Sequence, residues 1–194
     1  MGRVLYGRSP GVHLTADGRR EAQKLGCAIK AHRTLGAVIS SPLERATETA
    51  QFIAGPQALE VSTDEGLNEL DFGEWMGKPF SDLNQLPGWH KYNRVRSTAR
   101  APHGESLVEV QARAWSSLAA IAADFDNATV AVVTHGDVIR ALLILLLGMP
   151  IDHILRLEIA PASVSEVIVT EGAPVVQSVN QTVWPRSTAD QRLV

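Results

Sequence analysis

The chain has little that would set it apart from ordinary globular proteins. It holds a single cysteine, Cys27, which excludes an internal disulfide framework and predicts a reducing, cytoplasmic location. Cys27 falls inside a predicted helix, where we expect a buried structural thiol. The longest apolar stretch, Ala141 to Met149, is too short to span a bilayer, and the residues after Met1 lack the pattern of a signal peptide.

An excess of charge of one sign is also missing. Lysine and arginine total 18 against 21 aspartate and glutamate, so the net charge is −3, and 45% of the 194 residues are hydrophobic. This balance gives no electrostatic reason to expect nucleic acid or an anionic membrane as a partner. The length predicts one domain over 1–194, and oligomeric state is left open. The histidines are scattered without metal-ligand spacing, so no metal or other cofactor is predicted.

Strands and helices alternate along the chain without a repeat or a long linker. The predicted helices cover 16–32 after the N-cap Thr15, 43–54, 105–124 and 137–147, and the predicted strands cover 37–40, 59–62, 129–134, 154–159 and 163–170, with a further candidate strand at 174–179. Glycine, proline, tryptophan and asparagine are dense in 64–104, which predicts an irregular lid or insertion with one or two short helices. The alternation predicts a three-layer α/β domain with a mainly parallel sheet flanked by helices.

The most informative segment is 128–140. Its β-branched apolar run stops at Thr134, and a helical pattern begins directly after His135 and Gly136. His135 and Gly136 are therefore predicted to lie between the carboxyl end of a strand and the N-terminus of a helix. Ligands bind at such points in open α/β sheets, and the free amides of the helix favour anions. For a lone histidine at a strand end, a capping or core role is an equally good interpretation.

Arg45 lies in the first turn of the next candidate segment, 40–50, again where a strand ends and a helix begins. A guanidinium there can form two parallel hydrogen bonds to a phosphate or carboxylate. The alternative, a surface arginine paired with Glu44 or Glu48, is the better interpretation of this segment taken alone.

Glu69 belongs to a third segment, 67–77, in which carboxylates alternate with aromatic residues and glycines. A carboxyl held against apolar rings favours its protonated form, as a general acid requires. The alternative is an acidic loop rich in turns. A fourth segment, 103–106, begins a helix with Gly104 and Glu105, whose amides could receive an anion, although alone it indicates only a helix cap.

Together and in this order, the four segments resemble signatures of the histidine phosphatase superfamily, the phosphoglycerate-mutase-like proteins. The matching motifs are Ser-Ser-Pro-Leu-x-Arg-Ala-x-x-Thr-Ala, Asn-Glu-x-x-Phe-Gly-x-Trp-x-Gly, Gly-Glu-Ser and Thr-His-Gly-Asp-Val-Ile-Arg. The loop at 7–15 is also similar to the family's loop before its first helix, so the resemblance extends over about residues 5–170. It implies a phosphoglycerate-mutase-like fold.

The resemblance also implies roles for individual residues. His135 would contact the phosphoryl group and stabilise its charge, with Arg45 and Gly136 completing the phosphate pocket. Glu69 would protonate the leaving oxygen and then act as base for water. Arg8, Gly104 and Glu105 would approach the substrate. The implied activity is hydrolysis of a small phosphorylated metabolite through a phosphohistidine intermediate.

The family's first strand, which ends in Arg-His-Gly and carries the nucleophilic histidine, has no counterpart in this sequence. His13 is near in position but matches the following loop. In the family that strand lies in the middle of the sheet, and without it the neighbouring strands would have open edges. We therefore expect the natural protein to be longer, with Met1 an internal methionine taken as a start codon.

Two alternatives to a phosphatase remain. A catalytically inactive relative would bind phosphorylated ligands through Arg45 and His135, although such a protein has little need of the acid Glu69. A phosphoglycerate mutase is less favoured, because region 78–104 looks short for the longer insertion that resemblance to true mutases would imply.

Overall fold

The computed structural model describes residues 4–169 and 173–182. The helices are α1 (Ala16–His32), α2 (Glu44–Ala54), α3 (Phe80–Leu83), α4 (Pro87–Arg94), α5 (Leu107–Asp124) and α6 (Gly136–Leu146). The strands are β1 (Ala37–Ser40), β2 (Val61–Thr63), β3 (Val130–Val133), β4 (Ser163–Ile168) and β5 (Val175–Thr182). Short 3-10 turns lie at Gly55–Gln57, Glu65–Leu67, Gly73–Trp75 and Ile151–Arg156.

The first three strands form a parallel sheet in the order β2-β1-β3. Ala37 to Ser40 of β1 lie opposite Val130 to Val133 of β3, and Val38 lies opposite Val61 of β2. Because parallel strands need crossover connections, the intervening helices cover the faces of the sheet. The chain is therefore an α/β fold with a parallel sheet flanked by helices, as its alternating pattern predicts.

A second sheet pairs β4 with β5 in antiparallel fashion. Within the described residues, β3 pairs with β1 alone and β4 with β5 alone, so each has one edge without a strand partner. Ala162 and Val164 nevertheless pack on the same apolar cluster as Val133. The two sheets thus share a core, and in the part of the chain that the structure describes no strand of one sheet pairs with a strand of the other.

The strand predicted at 154–159 is wrong. A 3-10 helix at Ile151–Arg156 follows Pro150 instead. Ile154 in this helix and Leu157 directly after it are three positions apart and both pack on the core, whereas Leu155 is 55% exposed. Spacing by three suits a helical turn, and the exposure of Leu155 breaks the alternating burial that a strand over 154–159 would show.

The buried thiol predicted for Cys27 is also wrong, because the side chain is exposed. The buried residues of α1 are Ala22, Leu25 and Gly26, a face repeating every three or four positions, and Cys27 lies just outside it. Gly26 packs so closely on α2 that a β-carbon there would collide with the Phe52 carbonyl oxygen.

Other boundaries move by a few residues. The strand predicted at 59–62 is observed as β2, the candidate at 174–179 is β5, and the helix predicted from Glu105 begins at Leu107. That helix starts later because Ser106 and Glu109 form a reciprocal capping box. The predicted end of β4 at Thr170 lies outside the described residues.

Region 64–104 contains the two short helices α3 and α4 and carries a compact aromatic cluster. Its members are Phe72, Trp75, Phe80, Trp89 and Tyr92, with neighbouring ring centroids 5.2–6.3 Å apart. All of these rings except Phe80 join residues of α5 and α6 in one hydrophobic core, so they anchor the region to the domain. Among all described residues, no helix is both long and apolar enough to cross a membrane.

Candidate active site

A cavity of about 430 Å³ opens beyond the carboxyl ends of the parallel strands, beside the first turns of α2 and α6. Its lining residues are Val4, Leu5, Tyr6, Gly7, Arg45, Glu69, Phe72, Gly136, Asp137, Arg140 and Pro161. Gly136 follows β3 and Pro161 precedes β4, so residues adjoining both sheets line the cavity. Three of the residues singled out from the sequence, Arg45, Glu69 and Gly136, meet here.

Arg45 projects from the first turn of α2 into this cavity. Its Nη2 donates to the Gly7 carbonyl at 2.8 Å, whereas its buried Nη1 has no hydrogen-bond partner. Burial lowers the pKa of Arg45, and the nearby carboxylates of Glu69 and Glu44 oppose that effect. A guanidinium remains charged at neutral pH in any case, so Arg45 offers the cavity a positive charge with an unsatisfied donor.

Glu69 lies opposite, in the loop after the Glu65–Leu67 turn, and its Oε1 accepts a hydrogen bond from the Leu70 amide at 2.9 Å. Burial raises the pKa of Glu69 to about 8, and the negative charge of Asp137 adds to the rise, while the Leu70 amide, Arg45 and Arg113 oppose it. The carboxyl therefore holds its proton near neutral pH. A protonated carboxyl facing a cation can donate a proton to an oxygen bound between them.

His135 is buried directly behind the cavity lining, at the N-cap of α6. Its Nε2 lies 2.8 Å from the Ser41 Oγ, and that hydroxyl donates its one hydrogen to Asn68 Oδ1. His135 is therefore the donor, with its proton on Nε2. Burial, followed by the charges of Arg45, Arg113 and Arg8, lowers the pKa of His135 to about 3, so the ring is neutral at physiological pH.

The amides at the start of α6 stand next to this ring. Gly136 and Asp137 both line the cavity, and the first amides of a helix have no partner within the helix. They favour an anion at the same place as the Arg45 guanidinium. The Nε2 of His135 is already hydrogen-bonded to Ser41, and the ring does not line the cavity. The predicted contact of His135 with a phosphoryl group therefore stays a prediction.

Arg8, Gly104 and Glu105, predicted to approach a substrate, do not appear in the lining of this cavity. Arg8 forms an ion pair with Glu105 at 2.8 Å. Gly104 packs against the 71–73 backbone so closely that an added β-carbon would lie 2.7 Å from the Gly73 nitrogen. Their contact with a substrate stays a prediction, and what the structure shows of them is internal packing and pairing.

Several cavity residues were missed by the reasoning from sequence. Asp137 and Arg140 form an ion pair at 3.0 Å, and Arg140 Nε donates to the Leu157 carbonyl at 2.8 Å. Both belong to the same motif as His135, so their position in the first two turns of α6 could have indicated them. Phe72 and Tyr6 supply part of the apolar wall of the cavity.

Within the described part of the chain, no group of three or more His, Cys, Asp or Glu side chains could hold a metal ion.

The chain belongs to the histidine phosphatase superfamily (branch 1), whose family model matches residues 2–182. This agrees with the four motifs and with the geometry of the cavity. A bifunctional protein of Mycobacterium tuberculosis is 37% identical over 151 residues, covering 76% of this chain and 41% of that protein. The chain thus spans about two fifths of the length of that relative.

Two further proteins match over most of their own length. The probable phosphoglycerate mutase GpmB of Proteus mirabilis is 34% identical over 157 residues, which covers 79% of this chain and 72% of that protein. The solved structure of a phosphoserine phosphatase mutant from Entamoeba histolytica, in complex with phosphoserine, has a TM-score of 0.83 at 28% identity and covers 93% of this chain and 90% of its own. Phosphatases and mutases are therefore both among the relatives.

Proposed function

We propose that this domain is a phosphomonoester hydrolase of the histidine phosphatase type, acting on a small phosphorylated metabolite. The observation that carries the proposal is the pairing, in one cavity, of the unpartnered Arg45 Nη1 with the protonated carboxyl of Glu69. The phosphatases among its relatives support the same activity. The single cysteine supports a cytoplasmic location.

In this proposal, Arg45 and the first amides of α6 hold the equatorial oxygens of the phosphoryl group, where negative charge develops in the transition state. A histidine nitrogen attacks phosphorus while the bond to the alcohol oxygen breaks, and Glu69 gives that oxygen its proton. Water then attacks the phosphohistidine, Glu69 takes a proton from the water, and the histidine leaves with inorganic phosphate released.

Among the described residues, the cavity lining contains no histidine that could serve as the attacking group. His135 is held behind the cavity by Ser41, and His13 is 57% exposed and paired with Glu48 at 2.5 Å. We propose that an extended segment lying between the open edges of β3 and β4 supplies it, since a strand in that gap would end at the cavity between Gly136 and Pro161. Pairing along both edges would also satisfy backbone groups that otherwise lack strand partners.

Reading the codons upstream of the Met1 codon tests this part of the proposal. An open frame encoding an apolar strand that ends in Arg-His-Gly supports it, and joining that segment to the chain is then expected to produce phosphatase activity. An in-frame stop codon close to Met1 contradicts it. The inactive, phospho-ligand-binding alternative then becomes the better one, because Arg45 and the α6 amides would still bind an anion.

Anion binding tests the site in the chain as it is. Sulfate is a suitable probe, because its charge does not change between pH 6 and 10. The pKa of Glu69, raised to about 8, means that the carboxyl is neutral below that pH and negatively charged above it. We expect sulfate affinity to fall about tenfold or more as the pH rises through this value, since a carboxylate would then face the bound anion. Calorimetric titration measures it.

The variant Glu69→Gln removes the titration while keeping the shape of the side chain. Its sulfate affinity is expected to be independent of pH over the same range. A wild-type chain that binds no sulfate, or a variant that keeps the full pH dependence, contradicts the proposed site. In the active enzyme, the same variant is expected to lower kcat/KM, which reports the first phosphoryl transfer, far more for an alkyl phosphate than for p-nitrophenyl phosphate, whose good leaving group needs no acid.

The related mutase supports a second candidate, phosphoglycerate mutase activity. A mutase returns the phosphoryl group to its substrate, whereas a hydrolase releases it to water. Incubating the active enzyme with 3-phosphoglycerate distinguishes the two, since the hydrolase produces inorganic phosphate and the mutase produces an isomer.

A further inference from the structure

The side of the 66–71 loop that faces away from the cavity is bound by two arginines. Arg113, from the middle of α5, donates from Nη1 to the Gly66 carbonyl at 2.7 Å and from Nη2 to the Glu69 carbonyl at 3.2 Å. Arg8 donates from Nε to the same Glu69 carbonyl at 2.7 Å. One backbone oxygen of the candidate acid is thus held from two separate elements.

Glu105 ties the two arginines together. Its Oε1 accepts from Arg113 Nε at 3.0 Å, and its Oε2 accepts from Arg113 Nη2 at 3.1 Å and from Arg8 Nη2 at 2.8 Å. The same Oε2 also accepts the amide of Asp71 at 3.1 Å, two residues beyond Glu69. The carboxylate is therefore fixed by four hydrogen bonds, and in turn it orients both guanidinium groups.

We propose that Arg113 and Arg8, held by Glu105, are positioning residues for Glu69, and that they keep its carboxyl in the buried orientation that faces Arg45. The inference rests on the proposed role of Glu69. It goes beyond the sequence motifs, because Arg113 belongs to none of them and Arg8 and Glu105 do not line the cavity.

The physical reason is the geometry of the guanidinium group. Its five donors form a planar fork, so Arg113 can bind both oxygens of Glu105 and two loop carbonyls at once, which a lysine ammonium cannot do. We call the hydrogen-bonded group of Arg113, Arg8 and Glu105 the clamp. Without the clamp, the 66–71 loop would relax and water would reach the Glu69 carboxyl. The charged groups that face this carboxyl are Asp137 on α6, Arg45 on α2 and Arg113 on α5. A substitution that keeps the positive charge is therefore needed to separate the effect of the clamp on the position of Glu69 from the effect of its charge on the pKa of Glu69.

The test therefore uses charge-keeping variants, Arg113→Lys and Arg8→Lys, in the full chain. The measurement is the pH midpoint at which sulfate affinity falls, together with the midpoint of the Glu69 carboxyl resonance in carbon-13 glutamate-labelled protein, assigned by its loss in Glu69→Gln. We expect both midpoints to move down by at least one pH unit in Arg113→Lys, because solvation favours the charged carboxylate. Arg8→Lys is expected to act in the same direction.

A matched control is Arg100→Lys. Arg100 also pairs with a glutamate, Glu109, at the start of α5, but it is 54% exposed and makes no contact with Glu69. Its midpoints are expected to stay at the wild-type value. A merely structural loss would lower the melting temperature in Arg113→Lys without moving the midpoints.

Wild-type midpoints in both lysine variants overturn the inference. So does a variant Arg8→Lys whose sulfate affinity drops equally at every pH, since Arg8 would then be contacting the anion. Failure of the proposed function gives a different pattern. The wild-type chain then binds no sulfate, and the carboxyl resonance still reports whether the clamp sets the titration of Glu69.

Discussion

The two faces of the 66–71 loop each carry an arginine of intermediate exposure, and the two arginines are partnered in opposite ways. Arg113 behind the loop directs its donors at protein groups, namely both oxygens of Glu105 and two backbone carbonyls. Arg45, in front of the loop, makes a hydrogen bond to Gly7 and leaves its buried Nη1 without a partner. Because buried donors are normally satisfied, the unpaired Nη1 at the cavity is available to the anion that we propose binds there. The hydrogen-bond partners of these two arginines, and not their burial, are what differ.

Replacing Arg45 tests the side of the 66–71 loop that faces the cavity, which we call the binding side. In Arg45→Met, sulfate affinity is expected to fall about a hundredfold or more, because the cation and its free Nη1 donor are lost. The unfolding free energy is expected to fall by only about 1 kcal/mol, since the Gly7 carbonyl is the one protein group that loses a hydrogen bond from Arg45. Calorimetry and urea denaturation measure the two quantities. Binding that survives in Arg45→Met would remove the distinction between the two arginines.

Replacing Arg113 tests the opposite side of the same loop, where Arg113 and Glu105 lie, which we call the structural side. Arg113→Met is expected to lower the unfolding free energy by about 2–3 kcal/mol, because Glu105 loses a bidentate partner, the Gly66 carbonyl loses its donor and the Glu69 carbonyl keeps only Arg8. Urea denaturation measures the loss. The comparison variant Arg100→Met breaks an exposed pair with Glu109 and an exposed hydrogen bond to the Gly104 carbonyl, and its unfolding free energy is expected to fall by less than about 1 kcal/mol. Equal losses in the two variants would mean that the clamp contributes nothing beyond a surface pair.

Gly104→Ala probes the backbone contact that supports the same structural side. The new β-carbon would collide with the Asp71 carbonyl oxygen and lie 2.7 Å from the Gly73 nitrogen, so the two loops must separate. A loss of about 1–2 kcal/mol in unfolding free energy is expected. In the control Gly55→Ala, the β-carbon meets nothing within 4 Å, and thermal denaturation should show no loss. An unchanged unfolding free energy in Gly104→Ala would show that the close contact between Gly104 and the 71–73 backbone does not contribute to stability.

The binding side could be predicted from sequence because its determinants are local. Arg45 and Gly136 each lie within a few residues of a strand end, and a strand followed directly by a helix fixes where they point. Glu69 was placed by a motif of the family. The exposure of Cys27 could also have been predicted, since the apolar positions of α1 repeat with a phase that excludes it.

The structural side could not be predicted in this way. Two partners of Arg113, the carbonyls of Gly66 and Glu69, lie on a loop, 47 and 44 residues away along the chain, and no local pattern links them to Arg113. Its neighbours Ala112 and Ala114 merely indicate a helix. The division of the strands into two sheets is likewise a tertiary property, because pairing depends on which edges meet.

The exposed position of Cys27 has a practical consequence. As the sole thiol in the chain, it can carry one fluorophore or spin label at a defined point without any prior mutagenesis. The label would stand next to Gly26, where α1 touches the Phe52 backbone of α2, the helix whose first turn carries Arg45. Its signal would report whether the packing of these two helices responds when an anion enters the cavity, at a distance from the groups that bind it.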